Sequence, residues 1–144
     1  MAMYNKPDNW TDVEFARFNT LEPRLQAFVI AVNKKVKIGI LCGSRSDAEQ
    51  WQALKEKKSK LTPALSKHCK RPLSWAVDIY PEPLNWQALN AFYWLGGYAK
   101  ALADARGFPI RWGGDFNRNY NVTDEDFLDL VHFEIDEDYV VTAL

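Results

Sequence analysis

The stretch "LDLVHFEI" (residues 128–135) decides how the fold and the chemistry of this chain are interpreted. Its second half alternates like a buried β-strand, yet it carries His132, one of only 2 histidines in the chain. Side chains two residues apart in a strand share a face, so His132 and Glu134 should point one way and Phe133 the other. Asp129 lies three residues before the histidine and would have to fold back from a turn. The stretch therefore predicts a strand with polar chemistry on one face.

Length and composition limit the class of protein. The chain has 144 residues, of which 47% are hydrophobic and 26% are charged, which is typical of a single globular domain. Its unbroken apolar runs are far shorter than the roughly 20 residues needed to cross a bilayer. Residues 1–15 lack the basic-then-apolar layout of a secretory signal. We therefore expect folding in a cytoplasm, with Cys42 and Cys69 as reduced thiols.

Charge is distributed unevenly along the chain. Residues 1–71 contain 14 Lys and Arg against 7 Asp and Glu, whereas residues 72–144 contain 4 against 12. A basic region can direct a protein to a polyanion such as nucleic acid, an anionic membrane or a cell wall. The alternative is a solvated surface that is merely asymmetric. No nucleic-acid-binding motif accompanies the charge, so nucleic acid is not an expected partner.

Short apolar runs between turn signals predict the strands. The last two of these runs predict a terminal hairpin. The runs lie at residues 36–43, 73–81, 108–112, 131–135 and 139–143.

Periodic apolar positions and capping residues predict the helices. Residues 21–35 carry apolar side chains at helical spacing, and residues 85–107 form a long helix stopped by a glycine. A serine followed three residues later by a glutamate predicts a further helix start, and the acidic stretch near residue 124 predicts a short helix or turn. The mixture of helices with short, mainly antiparallel strands predicts an α+β fold in one domain, residues 1–144. The predicted N-caps are Ser46, Asn85 and Thr123.

Both histidines lie near carboxylates in apolar surroundings, which is one way to build a metal site. A hydrolytic zinc site needs three protein ligands, an open position for water, and a carboxylate that takes the proton of that water. His68, Asp78 and His132 can supply the ligands, and either Asp129 or Glu134 can supply the base. The spacing is not the His-Glu-x-x-His helix pattern. A hydrogen-bonded, partly buried imidazole is the other interpretation of each histidine.

Other chemistries find less support in the residue pattern. A cysteine nucleophile would need a histidine base, and nothing around Cys69 marks an activated thiol. Cys42 and Cys69 are possible soft metal ligands, but no Cys-x-x-Cys spacing accompanies them. A glycosidase carboxylate pair is conceivable from Glu82, Asp115 or Asp124, although acidic loops are usually only solvated.

Five blocks of sequence carry a resemblance to a known family. Together and in this order, they resemble the zinc peptidases that comprise D-alanyl-D-alanine carboxypeptidases and L-alanyl-D-glutamate endopeptidases. The match looks most like the phage endolysins that cut peptidoglycan stem peptides, and it extends from about Gly39 to Ile135. The blocks are GSRSDAEQ (43–50), SKH (66–68), AVDIYP (76–81), RWGGDF (111–116) and DLVHFEI (129–135).

The resemblance implies roles for individual residues. By it, His68, Asp78 and His132 are the ligands of one zinc ion per chain, and Asp129 is the catalytic base. Arg45 is similar to the arginine that the family holds near the substrate, where a guanidinium stabilises a developing oxyanion. The other interpretation of Arg45 is a surface charge at the entry of a helix.

Two further residues of the matching blocks are candidates for substrate binding. Trp112, with the glycines after it, is expected to shape the loop beside the cleft. Gln50 shares a block with Arg45, where a scaffolding role is the alternative. The chain departs from the family between His68 and Asp78, where nine residues replace the usual shorter glycine turn. We expect the longer loop to change the cleft rim, because loop closure costs grow slowly with length.

The implied function is zinc-dependent hydrolysis of a stem-peptide amide, by an L-alanyl-D-glutamate endopeptidase that acts as an endolysin. We expect a monomer that accumulates in the host cytoplasm, acts on peptidoglycan after release and has no separate wall-binding domain. The basic N-terminal half is expected to favour an anionic envelope surface. The alternatives are a non-catalytic, metal-stabilised wall-binding module and a host D-alanyl-D-alanine carboxypeptidase, which would need an export signal. The basic side chains concerned include Lys57, Lys58, Lys70 and Arg71.

Overall fold

The computed structural model describes residues 4–139 and contains four α-helices and four β-strands in that range. None of these helices is long and apolar enough to span a bilayer. Within the same range, a single 3-10 turn, Lys67–Cys69, lies between the third helix and the second strand. The elements are α1 (Asp12–Phe18), α2 (Pro23–Asn33), β1 (Ile38–Cys42), α3 (Asp47–Lys55), β2 (Ala76–Pro81), α4 (Leu89–Arg106), β3 (Ile110–Trp112) and β4 (His132–Ile135).

The strands form one antiparallel sheet in the order β1-β2-β4-β3, which confirms the predicted α+β class. β4, the last strand along the described chain, lies between β2 and β3, so its side chains sit at the centre of the sheet. The register pairs Val77 with Phe133, and Asp78 with His132. Because side chains alternate across a strand, these two pairs face opposite sides of the sheet.

One face of the sheet forms the core. α1 packs against β1, α2 against β4, and α4 against β2 and β3. Phe133 is fully buried, and its ring centroid lies 5.5 Å from that of Phe28 on α2. Burial of apolar surface at about 25 cal/mol per Å² is the main force that holds helices on such a face. The opposite face, which carries Asp78 and His132, is thereby left for polar side chains.

The helix signals are confirmed at α2, α3 and the end of α4. Ser46 and Glu49 form the predicted capping box, in which each side chain accepts a hydrogen bond from the other's backbone N–H, at 3.1 Å and 3.0 Å. Gly107 follows α4 with φ of +73°, a left-handed conformation that glycine adopts without strain. α1 was not predicted, although Thr11 and Glu14 form the same capping box.

Three expectations need correction or fall outside the described residues. Asn85 does not cap α4, because its side chain accepts the Gln87 N–H in a separate turn and the helix begins at Leu89. The stretch after Thr123 forms turns, one of the two predicted forms, so Thr123 caps no helix. Within residues 4–139, β4 pairs on both sides with β2 and β3, and the predicted hairpin partner at 139–143 lies almost wholly outside that range.

Candidate metal centre

A row of polar side chains crosses the sheet on the face opposite the core. The strand register places Cys42 of β1 and His132 of β4 on either side of Asp78 of β2. An irregularity between Ile40 and Cys42 brings the cysteine into that row. Directly opposed residues of neighbouring strands have Cβ atoms about 4.5–5.5 Å apart. His132 can therefore lie in a buried strand, because the residue directly opposite it on the neighbouring strand is the carboxylate Asp78.

His68 joins the row from outside the sheet. It lies on the 3-10 turn and is buried, and its backbone carbonyl accepts the Arg45 N–H at 2.9 Å. Its ring centroid lies 5.1 Å from that of His132. His68 Nε2 is 3.3 Å from Asp78 Oδ1, and His132 Nδ1 is 3.2 Å from the same oxygen. Two imidazole nitrogens thus converge on one carboxylate.

These separations fit a tetrahedral metal ion. Bonds of about 2.0–2.1 Å to nitrogen and oxygen separate the ligand atoms of a tetrahedral ion by about 3.3–3.4 Å. The separations of Asp78 Oδ1 from His68 Nε2 and His132 Nδ1 are close to that edge length. A carboxylate oxygen of Asp129 also lies within 4.8 Å of ligand atoms of Asp78 and His132.

The outer nitrogens of both imidazoles already have acceptors. His68 Nδ1 lies 2.7 Å from the Gly43 carbonyl, and His132 Nε2 lies 2.9 Å from Glu134 Oε1. If each outer nitrogen carries the proton that it donates to its acceptor, the inner nitrogen has a free lone pair in the neutral ring. This is how a metal-ligating histidine is usually oriented.

The same arrangement controls the pKa values of the two histidines. Burial lowers the pKa of His132, but its hydrogen bonds to Asp78 and Glu134 outweigh burial and raise the pKa to about 9. At His68, burial lowers the pKa and the Asp78 carboxylate raises it. The net effect is a raised pKa. Protons or a cation are therefore strongly attracted to the space between these rings.

A second grouping of possible ligands consists of Cys42, His68 and Asp78. In that group the Cys42 Sγ lies 3.8 Å from His68 Nδ1. That nitrogen faces the Gly43 carbonyl at 2.7 Å and must carry a proton to make the bond. The donor set of His68 Nε2, Asp78 and His132 Nδ1 is therefore the better fit.

Asp129 is held at the site by its backbone. Its N–H donates to the Gly113 carbonyl at 2.9 Å, and the Gly113 N–H donates to the His132 carbonyl at 2.8 Å. A Cβ at position 113 would lie 2.1 Å from the Asp129 carbonyl oxygen, so only glycine fits there. Burial, and then the Asp78 carboxylate, raise the pKa of Asp129. Asp129 is therefore a carboxylate poised to accept a proton beside the candidate metal ligands.

Glu134, the rival base, has a different position. Its Oε1 faces the outer nitrogen of His132, and its Oε2 accepts hydrogen bonds from Lys67 Nζ and Arg111 Nη2, both at 2.8 Å. Burial raises the pKa of Glu134, but the bonds to His132 and Lys67 outweigh it and hold the pKa well below its usual range. Glu134 thus lies behind His132 as an orienting carboxylate. Sequence reasoning had placed it on the correct strand face without finding its cationic partners.

Arg45 reaches the site at its edge. Its Nη2 lies 3.7 Å from Asp78 Oδ2, and its Nη1 donates to Gln50 Oε1 at 2.8 Å. Gln50 is fully buried, and its Nε2 donates to Ser59 Oγ and the Leu61 carbonyl. Direct substrate contact by Gln50 is therefore wrong on grounds of burial, whereas its scaffolding alternative matches these contacts.

Trp112 also lies behind the cleft rather than in it. It is 3% exposed, and its Nε1 donates to the Leu130 carbonyl at 2.9 Å. Its indole fills the space that a Cβ at Gly96 or Gly114 would occupy. Because the ring is enclosed, the expectation of substrate binding by Trp112 is corrected to a packing role that supports the loop carrying Gly113.

The candidate ligands line a cleft of about 560 Å³. Its walls combine aromatic and cationic side chains. Lys60 Nζ lies 4.8 Å from the centroid of the Phe127 ring, and Arg111 Cζ lies 5.3 Å from that of Phe116. These wall residues were not found by sequence reasoning. The cationic side chains that line the cleft are Arg45, Lys58, Lys60, Lys67 and Arg111.

The basic N-terminal half is not one continuous surface. Lys67 is largely buried in its ion pair with Glu134, and Lys58 lines the cleft. Lys70 and Arg71 are exposed on the longer loop between His68 and Asp78. Part of the predicted basic surface therefore belongs to the candidate site itself.

Comparisons with known proteins bear on the family and the fold. A family model described as phage L-alanyl-D-glutamate peptidase matches residues 10–135. The structure of the L-Ala D-Glu endopeptidase ChiX from Serratia marcescens superposes with a TM-score of 0.67 and 19% identity, covering 87% of each chain. At that identity, the likeness concerns the fold. No curated protein sequence gives a significant match.

Proposed function

The chain belongs to the phage L-alanyl-D-glutamate peptidase family, and on this premise we propose that it is a zinc-dependent endopeptidase that hydrolyses the L-Ala–D-Glu amide of peptidoglycan. The observation that carries the proposal is the convergence of His68 Nε2 and His132 Nδ1 on Asp78 Oδ1, with the outer ring nitrogens already bonded. A site with three such ligands and a nearby free carboxylate is typical of hydrolytic zinc.

His68, Asp78 and His132 would hold the metal. A bound zinc supplies a Lewis acid that polarises a carbonyl and lowers the pKa of water to about 7. Glu134 and the Gly43 carbonyl keep both imidazoles in the tautomer that leaves the inner nitrogen free. Lys67 and Arg111 keep Glu134 ionised, so that it remains an acceptor for His132.

Asp129 acts as the general base and then as the general acid. Its carboxylate accepts a proton from the attacking water and delivers it to the amine of the departing D-Glu. A raised pKa suits this role, because a base works best when its pKa is close to the working pH. Its rigid backbone links to Gly113 fix where the carboxylate lies.

Arg45 stabilises the negative charge that develops on the scissile carbonyl oxygen. Its guanidinium is oriented by Gln50 and lines the same cleft as the ligands. Preorganised donors of this kind usually contribute about 10²–10³ in rate. Gln50 therefore serves the reaction indirectly, by holding Arg45.

The alternative from another class is a metal-stabilised module that binds the wall without turnover. A structural zinc site tends to close its fourth position with a protein ligand. Here, within residues 4–139, the Asp129 carboxylate has no hydrogen-bond partner and lies beside the ligand set. This favours catalysis.

We further propose that lysis of a host by a phage is the biological setting, with an anionic envelope surface attracting exposed lysines such as Lys70.

Mass spectrometry of fragments released from purified peptidoglycan tests the proposal. The endopeptidase should release stem peptides with a new amino terminus at D-Glu and leave L-Ala on the sugar. Release of only terminal D-Ala would instead identify a carboxypeptidase. Binding to the wall without any fragments would support the non-catalytic module.

A further inference from the structure

A second, smaller depression of about 240 Å³ continues from the metal cleft. The two share Trp86, Asp129 and Val131 in their linings. The groove therefore runs past the proposed base, beyond the space that the metal ligands enclose. A substrate with the scissile bond at Asp129 would extend into this depression.

Trp86 is the residue that makes the depression chemically distinctive. Its side chain is 58% exposed, although large aromatic side chains usually lie mostly inside. The ring stacks on the buried Phe92, with centroids 5.5 Å apart and an interplanar angle of 5°. One face is thereby anchored, while the indole remains accessible from the groove. An aromatic ring that is fixed before binding loses little entropy when a ligand stacks on it.

The two parts of the groove differ in charge. The cleft is lined by five Lys and Arg side chains against three carboxylates, whereas the depression is lined by no Lys or Arg, and Asp129 is its single charged residue. The remaining lining side chains of the depression are apolar or aromatic. A ligand that fits the whole groove should be anionic at one end and uncharged, with apolar faces, at the other. The lining residues besides Asp129 are Trp86, Leu89, Phe92, Leu128, Leu130 and Val131.

We propose that this depression is a sugar subsite, in which Trp86 stacks on the N-acetylated amino sugar that carries the stem peptide. The proposal rests on the proposed function. In peptidoglycan, L-Ala is joined to the lactyl group of that sugar, so only one residue separates the sugar from the scissile amide. The carboxylates of D-Glu and the following residues lie on the other side of that amide. The uncharged end and the basic end of the groove match this polarity.

The test compares two synthetic substrates that differ only in the sugar. One is the N-acetylated stem peptide beginning with L-Ala, and the other is the same peptide bearing N-acetylmuramic acid. The measured quantity is the ratio of kcat/KM for the sugar-bearing peptide to that for the sugar-free peptide. Trp86→Ala should lower this ratio roughly three- to tenfold, the usual range for an aromatic contact. Trp86→Phe should recover most of it.

Trp94 provides a matched control. It is also an exposed tryptophan, at 60%, and it stacks on Tyr98 with centroids 5.5 Å apart and an interplanar angle of 4°. It lines neither the cleft nor the depression. Trp94→Ala should therefore leave the substrate ratio at the wild-type value.

The outcomes separate this inference from the function on which it rests. If the wild type cuts both substrates with equal kcat/KM, or if Trp86→Ala and Trp94→Ala give the same ratio, the sugar subsite is wrong and the endopeptidase stands. If the wild type cuts neither substrate, the proposed function fails and the subsite falls with it. Circular dichroism and melting temperatures of the variants verify that each one is folded.

Discussion

Two carboxylates, Glu14 and Asp129, lie in contrasting environments in this molecule. Glu14 is buried where α1 meets the sheet, and its oxygens accept hydrogen bonds from the Thr11 N–H, the Ile40 N–H and the Tyr80 hydroxyl at 2.9–3.1 Å. Asp129 lies in the cleft, and within residues 4–139 no protein group donates a hydrogen bond to its carboxylate.

Their pKa values move in opposite directions for this reason. Burial alone would raise the pKa of Glu14, but its hydrogen bonds outweigh burial and lower it. At Asp129, burial and the Asp78 carboxylate raise the pKa, and the charges of His132, His68 and Arg45 offset this increase only in part. A lowered pKa means that the ionised group stabilises the fold, and a raised pKa means that ionisation costs stability. The difference agrees with a stabilising role for Glu14 and with the proposed proton transfer by Asp129.

The largest expected effect comes from His132→Ala. This change removes a proposed ligand and leaves Glu134 Oε1 without its imidazole partner, so zinc content should fall from about one per chain to near zero and activity should fall to background. The melting temperature should also fall, because metal binding is coupled to folding. Metal analysis, thermal melts and turnover of a soluble muropeptide measure the three quantities.

Chelation gives an independent check of the same site. A chelator should abolish the activity of the wild type, and added zinc should restore it. If the wild type contains no tightly bound zinc, or if His132→Ala keeps both metal and turnover, the proposed zinc site formed by His68, Asp78 and His132 is wrong.

Asp129→Asn should separate catalysis from stability. The amide keeps the shape but cannot accept the proton, so turnover should fall by roughly 10²–10⁴. Zinc should remain bound, and the melting temperature should stay near the wild-type value, because the substitution keeps the shape and, within residues 4–139, no protein group donates a hydrogen bond to the Asp129 carboxylate. A variant that loses its fold together with its activity would contradict the proposed role.

Glu134→Gln tests the rival base and is expected to have a smaller effect. Its carboxylate orients His132 and is paired with Lys67 and Arg111. Loss of an orienting partner of a metal ligand typically costs about 10–100-fold in metal affinity or activity. The informative readout is the zinc titration, since added zinc should restore part of the activity of Glu134→Gln but none of that lost in Asp129→Asn. The reverse result would exchange the two roles.

The polar face of β4 could be predicted from sequence because it follows a short local pattern. His132 and Glu134 share a strand face by simple alternation, and this part of the prediction agrees with the structure. His68 could be grouped with His132 only by its chemistry and by the resemblance, because the 3-10 turn that carries it has no periodic signal that would predict its position. Asp78 faces His132 through a strand register that local sequence does not specify.

Other features depend on contacts between distant segments, which explains why they were missed. Arg111 meets Glu134 through the pairing of β3 with β4, two strands separated by a long irregular loop. Trp86 and Phe127 reach the cleft from loops without regular structure. α1 is different, because the Thr11–Glu14 capping box was visible in the sequence, and its seven residues are too few for a clear apolar period. Asn85 misled the prediction because asparagine favours both caps and turns.

Glu14→Gln is the counterpart of Asp129→Asn on the stabilising side of the comparison. In the wild type, three donors face the Glu14 carboxylate. In the variant, one carboxylate oxygen is replaced by an NH₂ group, so at least one buried N–H or hydroxyl loses its acceptor. The expected cost is about 1–3 kcal/mol at neutral pH, which corresponds to a fall in Tm of roughly 3–10 °C. Activity at room temperature should stay near the wild-type value, since Glu14 lies outside the cleft. Glu49→Gln is the control, because it has the same capping-box geometry on an exposed helix start without donors from the sheet.

The smallest expected effect is the pH dependence of that cost. The pKa of Glu14 is lowered in the folded state, so its stabilising contribution is complete above the unfolded pKa near 4.5 and disappears as the pH falls through the lower folded value. The difference in unfolding free energy between wild type and Glu14→Gln should therefore be constant from pH 7 to about 5 and then shrink on acidification. Urea unfolding at a series of pH values measures it. A difference that does not change with pH would mean that Glu14 acts through packing alone, and the contrast with Asp129 would then lose its electrostatic basis.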